Sequence, residues 1–212
     1  MKKIPLEGWP RKEHYQFFQD FDYPYFSLCA DMDVSAFAPL IKERKISFTA
    51  AMMYLIARVA NGIPEFRQRI HEEGPVEHPV VHPSATILSR DDLFTFCTVR
   101  YEPEFDEFIQ KAEKEIALVK KQPGLEEKIQ NDSMLYMSSI PWVSFTSFHH
   151  PLKLHPADSV PRFAWGKYRQ DGDVVVMPLS VQGHHALMDG LHAGLFYRDF
   201  QGLLDQPQTY IA

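Results

Sequence analysis

Between Ser47 and Gly62, Phe48, Met52, Leu55, Ile56 and Val59 recur at helical spacing in a stretch where charge is sparse. Ser47 and Thr49 offer side-chain oxygens to the first free amides, and Gly62 and Pro64 stop the run, so the pattern predicts a helix. A helix with almost no polar face does not stay on a surface and has to lie deep against another layer. The rest of the chain must therefore supply a sheet wide enough to cover it.

Enough β-prone segments are present to do so. Residues 25–34 read as a strand, and the runs VVHPSATIL and LFTFCTV within 80–100 flank residues 89–92 as a hairpin. Further strands are expected at 135–140, 142–148, 163–168 and 174–180. A short amphipathic helix is expected at 11–19, entered after Pro10, and a long one at 104–121, with Phe105, Phe108, Ile109, Ala112, Ile116 and Val119 on one stripe. A last helix starts near Asp189 and repeats Leu195, Phe196, Phe200, Leu203 and Leu204 at the same period. This mixture implies an α/β chain of the α+β two-layer kind, a sheet packed by helices, in one domain over residues 1–212.

Composition narrows the classes of partner. With 22 basic and 28 acidic residues the net charge is −6, which repels phosphate backbones and anionic lipid, so neither nucleic acid nor membrane is expected as a partner. Cys29 and Cys97, each in an apolar run, read as small buried hydrophobes of a reducing, cytoplasmic setting. Pro5, Glu7 and Pro10 interrupt the N-terminal segment, so no signal peptide is expected, and no run reaches transmembrane length.

The chemistry concentrates in SVQGHHALMDGLHAG, residues 180–194, between an apolar strand and the last helix. A strand end holds a side chain rigidly while the following loop leaves it open to substrate, and neutral imidazole accepts a hydroxyl proton near pH 7. Three readings of His184, His185, Asp189 and His192 follow. One is a general base with supporting groups. Another is a buried core histidine beside an Asp189 that merely caps the helix. The third is a zinc or iron site, disfavoured because neighbouring residues of a strand point to opposite faces.

HHALMDG resembles the HHxxxDG motif of chloramphenicol acetyltransferases and of the catalytic domains of dihydrolipoyl acyltransferases. WPRKEH at 9–14, PEFRQRI at 64–70, PWVSFTSF at 141–148 and GKYRQDGDVVVMPLSVQGHH at 166–185 are similar to the landmarks of the first of these families, in order along nearly the whole chain. The resemblance implies a large mixed sheet flanked by helices, a homotrimer with active sites between subunits, and transfer of acetyl from acetyl-CoA to a hydroxyl of chloramphenicol without a metal. On the same grounds His185 is the expected base, Asp189 its structural carboxylate held by Arg11, and Ser147 the hydroxyl that meets the oxyanion. Lipoamide acyl transfer is a lesser expectation, as the chain shows no lipoyl domain or Ala/Pro linker. The same chemistry on another hydroxylated acceptor, and a trimeric binding module without catalysis, stay as further alternatives.

The acceptor pocket implied by the family falls on Phe17, Phe18, Tyr25, Phe26, Phe94 and Phe96, any of which also suits a plain core. Phe96 stands where a small residue is usual, which makes the pocket tighter. Arg162 in the strand before GKY suggests either a polar or anionic acceptor or a side chain turned to solvent at the strand edge, and the usual threonine of that strand is replaced by Ala164. Gly183 for valine and Met188 for cysteine read as packing adjustments beside the motif.

Overall fold

The computed structural model describes residues 1–89, 92–125 and 131–211. The chain opens with β1 (Lys2–Lys3), α1 (Lys12–Gln19) and β2 (Tyr25–Asp33), followed by α2 (Phe37–Glu43) and α3 (Phe48–Gly62). A 3-10 turn at Pro64–Arg67 leads into β3 (Gln68–His71) and β4 (Gly74–Glu77), then β5 (His82–Leu88) and β6 (Phe94–Thr98). After α4 (Phe105–Lys121) come β7 (Met134–Ile140), β8 (Arg162–Gly166), β9 (Arg169–Asp171), β10 (Val174–His184) and α5 (Gly190–Asp205).

The large sheet runs β2-β10-β8-β7-β5-β6, with β9 beside β10. β7 lies parallel to both β5 and β8, while the other pairs are antiparallel, so the sheet is mixed. β1, β4 and β3 form a separate small sheet. Side chains alternate across the large sheet, and one face sends Ala85, Met137, Phe163, Leu179 and Val181 into a core shared with α3, α4 and α5. α3 is buried on every side from Ala50 to Ala57, as its lack of a polar face requires, and the Ser47 side chain caps it by accepting from the Ala50 amide. α4 keeps Lys and Glu outward and sets Asp106 and Glu107 at its first turn and Lys120 and Lys121 at its last, matching the helix dipole.

The opposite face of the sheet carries no helix layer among the described elements. There Ser84 pairs with Thr98 at 2.9 Å and Thr86 with Ser138 at 3.5 Å, a hydroxyl-rich floor beside Arg162. The segment 141–160 crosses this face, and here the expected strand at 142–148 does not form. A turn at 141–142 leads into backbone that joins no strand ladder and bends at 146, with Trp142 and Val143 exposed. It is held at points rather than along a ladder: Lys167 N–H donates to the Val143 carbonyl at 2.9 Å, and the Phe148 carbonyl accepts from Ser27 Oγ at 2.9 Å. Gly166 makes the approach possible, since a Cβ there would lie 2.7 Å from the Val143 oxygen and 2.8 Å from Pro178 Cγ.

The other differences concern the length of β10 and the short elements, β9 among them. β10 continues four residues past the expected end at 180, through Gly183 to His184, because β2 pairs with it along that whole length. α2 and the small sheet were not anticipated. The turn of the β5–β6 hairpin at 90–91 lies outside the described residues. Cys97 is buried in the core, whereas Cys29 on β2 is half-buried, and neither is in a disulfide. No described helix is long and apolar enough to cross a membrane.

Candidate active site

β10 ends at His184 and α5 begins at Gly190, so the histidine pair spans the strand end and the first residue of the loop. The two imidazoles part company there. His184 is 2 % exposed, accepts from the Ala186 amide at Nδ1 and lies edge-on to Tyr25 at 4.9 Å. Burial, with the neighbouring His185 adding to it, pushes the His184 imidazole down to about 4, so it stays neutral. His185 is only half-buried. Its ring stacks on Phe18 of α1 at 4.2 Å between centroids and meets the edge of Phe26 at 5.3 Å. Its Nδ1 is sealed from solvent and has no hydrogen bond among the described residues.

Arg11, just before α1, holds the loop behind His185. Its Nη2 donates to the His185 carbonyl at 3.0 Å, its Nε reaches the Ala186 carbonyl at 3.4 Å, and its Nη1 pairs with Asp189 Oδ2 at 2.6 Å. Asp189 is also the N-cap of α5, its Oδ1 accepting from the Leu191 amide at 3.0 Å. Burial works to raise that carboxyl, but the Arg11 hydrogen bond, the Leu191 amide and nearby positive charge outweigh it and hold it at about 2. Capping and pairing are thus one arrangement: the helix start fixes the carboxylate, the carboxylate fixes Arg11, and Arg11 fixes the backbone that carries the His185 ring.

Gly183 and Met188 are joined by space. A Cβ on Gly183 would stand 2.3 Å from Met188 Sδ and 2.8 Å from Met188 Cγ, so the methionine fills the volume that a larger residue at 183 would need.

The remaining acceptor candidates divide between two places. Phe18 and Phe26 surround His185, Tyr25 faces His184, and Phe17 is 64 % exposed on α1. Phe94, Phe96 and Arg162 instead line a cavity of about 910 Å³ on the helix-free face of the sheet, with Tyr136, Phe148 and His150. Arg162 is neither at a solvent edge nor an unmet charge: it is 6 % exposed, its Nη2 is hydrogen-bonded to Asp158 Oδ2, its Nη1 donates to the Val160 carbonyl at 2.8 Å, and its guanidinium lies 5.1 Å from the Tyr136 ring centre. Ser147 lies exposed in the segment that crosses this face, and no hydrogen bond joins it to His185 among the described residues. A second cavity of about 1030 Å³, lined by Lys3, His71 and Asp132, contains none of these candidates.

Residues that the sequence pattern did not single out complete the floor. Asp158 neutralises Arg162, and Gln182 accepts from the His150 amide at 2.9 Å, tying segment 141–160 to β10. The pairing of Asp158 with Arg162 had no readable signal, because the i, i+4 rule holds on a helix and Asp158 lies in the irregular segment that leads into β8 at Arg162. Among the described residues no group of three or more His, Cys, Asp or Glu is placed to hold a metal ion.

The model of the chloramphenicol acetyltransferase family matches residues 1–201. A chloramphenicol acetyltransferase of Klebsiella sp is 31 % identical over 206 residues, covering 97 % of this chain and 94 % of that protein. Chloramphenicol acetyltransferase 2 of Haemophilus influenzae is 31 % identical over 205 residues, covering 96 % of both. A solved chloramphenicol acetyltransferase superposes with a TM-score of 0.84 at 27 % identity, over 96 % of this chain and 100 % of that one. The dihydrolipoamide acetyltransferase of Azotobacter vinelandii shares the fold, with a TM-score of 0.66 at 15 % identity over 100 % of this chain and 94 % of that one.

Proposed function

The chain belongs to the chloramphenicol acetyltransferase family, and from that premise we propose that it transfers acetyl from acetyl-CoA to a hydroxyl of chloramphenicol, with His185 as general base. It is an acyltransferase of that type. The observation that carries the assignment of the base is the clamp on its backbone: Arg11 binds the carbonyls of His185 and Ala186 while Asp189 holds Arg11, and Phe18 stacks on the ring. The backbone that carries the imidazole is held and one ring face is covered, which is the kind of positioning a general base needs.

With Nδ1 sealed, Nε2 takes the proton of the acceptor hydroxyl. The freed oxygen attacks the thioester carbonyl carbon, the carbonyl oxygen gathers negative charge, and the C–S bond then breaks. The sulfur of coenzyme A leaves with the proton that His185 had taken, so base and product proton balance and no acyl-enzyme forms. Ser147 Oγ is the donor proposed for the oxyanion, a role worth on the order of 10²-fold in turnover. Neither cysteine takes part; burial, with Asp31 adding to it, raises the Cys29 thiol away from the reactive thiolate.

A homotrimer with its sites between subunits fits the division of groups within one chain. His185 stacks on Phe18 in one place, while Phe94 and Phe96 line a cavity that includes neither His185 nor Ser147. Exposed Phe17, Phe21 and Tyr23 extend from the first half, and exposed Leu93, Phe94, Trp142 and Val143 from the second, an apolar surface suited to another copy. A different hydroxylated acceptor is favoured by one observation, the row of Ser84, Thr86 and Ser138 along the cavity floor, which suits a more polar ligand than Phe94 and Phe96 alone. Asp158 already meets the Arg162 charge, so Arg162 by itself does not call for an anionic ligand.

The test is release of free coenzyme A thiol from acetyl-CoA in the presence of chloramphenicol and a panel of hydroxylated compounds. His185→Ala is expected to lower turnover by about 10²- to 10⁴-fold with coenzyme A binding retained. Turnover within a few-fold of the unsubstituted protein removes His185 from the mechanism.

A further inference from the structure

The Arg11–Asp189 pair does not end at Asp189. His192, in the first turn of α5, sits between Asp189 and Glu65 of the 3-10 turn Pro64–Arg67: its Nδ1 is 2.9 Å from Asp189 Oδ1 and its Nε2 is 3.5 Å from Glu65 Oε1. The side chains of His192 and Glu65 are 12 % and 23 % exposed, so water screens the contact only in part. From the β3 side of the molecule to the histidine at the strand end, one file of groups runs Glu65, His192, Asp189, Arg11 and the His185 carbonyl.

His192 Nδ1 faces two groups of the same residue. The Asp189 amide is 3.1 Å away and its Oδ1 is 2.9 Å away. A neutral ring with its proton on Nε2 accepts from the amide, closing the capping box of α5. An imidazolium instead donates to Oδ1, the same carboxylate that Arg11 holds. Protonation therefore moves the grip of His192 from Asp189 backbone to Asp189 side chain. The charged and titratable groups that face His192 are Glu65, Asp189 and Arg11, two anions and one cation. A neutral His192 leaves that group at net −1, and an imidazolium brings it to zero, which is the favourable state at this degree of burial.

We propose that Glu65 and His192 are positioning residues of the acetyl-transfer reaction, with His192 as the imidazolium that fastens Asp189 to Glu65 and so tightens the Arg11 clamp on His185. The proposal rests on the reading of His185 as the base. The hydrogen bond to Glu65 raises the His192 imidazole above its usual range, and the charges of Glu65 and Asp189 act the same way against its desolvation. The sign follows: the gripping form is complete below the ordinary histidine range and is lost as pH rises through the raised value. Turnover should then fall on the alkaline side as His192 loses its proton.

The experiment is the pH profile of kcat and KM for the full chain with acetyl-CoA and chloramphenicol, from about pH 6 to about pH 9, together with an NMR titration of His192. Glu65→Gln removes the anion and keeps the shape. It should move the alkaline fall of kcat down by about half a pH unit or more, in step with the His192 titration, and leave both KM values within about twofold. His192→Asn, which keeps a polar group near the Nδ1 position but cannot titrate, should abolish the alkaline fall. A limb unmoved in both variants, or a loss uniform across pH with rising KM, overturns the positioning role. A His192 titration unchanged by Glu65→Gln overturns the chain of charges whatever the kinetics show. A fully active His185→Ala control instead removes the base, and with it the reaction these residues would serve.

Discussion

A methyl group on Gly183 would overlap Met188, and this contact gives the sharpest prediction for a single residue. The collision is with the thioether of a flexible side chain, yet Met188 is fully buried and has little room to retreat. Gly183→Val should therefore cost about 1–3 kcal/mol, and adding Met188→Cys should restore most of it, since the shorter side chain vacates the contested volume. Chemical denaturation of both single variants and the double reads the coupling directly. Additive effects would mean that the two positions do not share the space. Both residues were visible in the sequence as departures beside the motif, but only as two separate adjustments. That they are one adjustment is a matter of strand twist and loop path, which no pattern along the chain encodes.

At the scale of elements, the segment that carries Ser147 depends on a glycine of a neighbouring strand. Gly166→Ala would set a Cβ against the Val143 carbonyl and Pro178, and backbone does not yield as a side-chain tip does. The expected result is a loss of about 1–3 kcal/mol, read as a lower thermal midpoint, with turnover reduced about tenfold as Ser147 shifts. An unchanged midpoint and rate would show that the segment is not anchored there. The same segment explains a misreading. Trp142, Val143 and Phe145 are β-prone, and propensity alone made a strand of them, whereas strand formation needs a partner edge and this segment meets only isolated donors and acceptors. α3 was legible because cap, period and stop signals agree, and α4 because a long apolar stripe ends at Pro123 and Gly124. α2, seven residues long with Pro39 inside it, and the two- and four-residue strands of the small sheet are too short for any period to show. Gly183 likewise disguised the end of β10, which pairing with β2 restores.

For the molecule as a whole, the apolar surface around Trp142 decides whether one chain suffices. Trp142 is 65 % exposed, and a buried tryptophan at a contact contributes about 2 kcal/mol or more. On the proposed trimeric assembly, Trp142→Glu should shift the species seen by light scattering toward single chains and lower activity in proportion, while the fold by circular dichroism is kept. A dissociated chain with full activity would refute a site built between subunits. The large sheet has a further consequence. Its strands send alternate residues to opposite duties: Ala85, Met137 and Phe163 fill the core, while Ser84, Thr86, Tyr136, Ser138 and Arg162 face the cavity. Variation at every second position of β5, β7 and β8 can thus remodel which ligands are accepted while the intervening positions keep the fold intact. Ser84 and Arg162 are the exceptions: buried and bonded to Thr98 and Asp158, they serve stability as well, so the half-buried Thr86 and Ser138 are the positions through which new acceptors are reached at least cost to the fold.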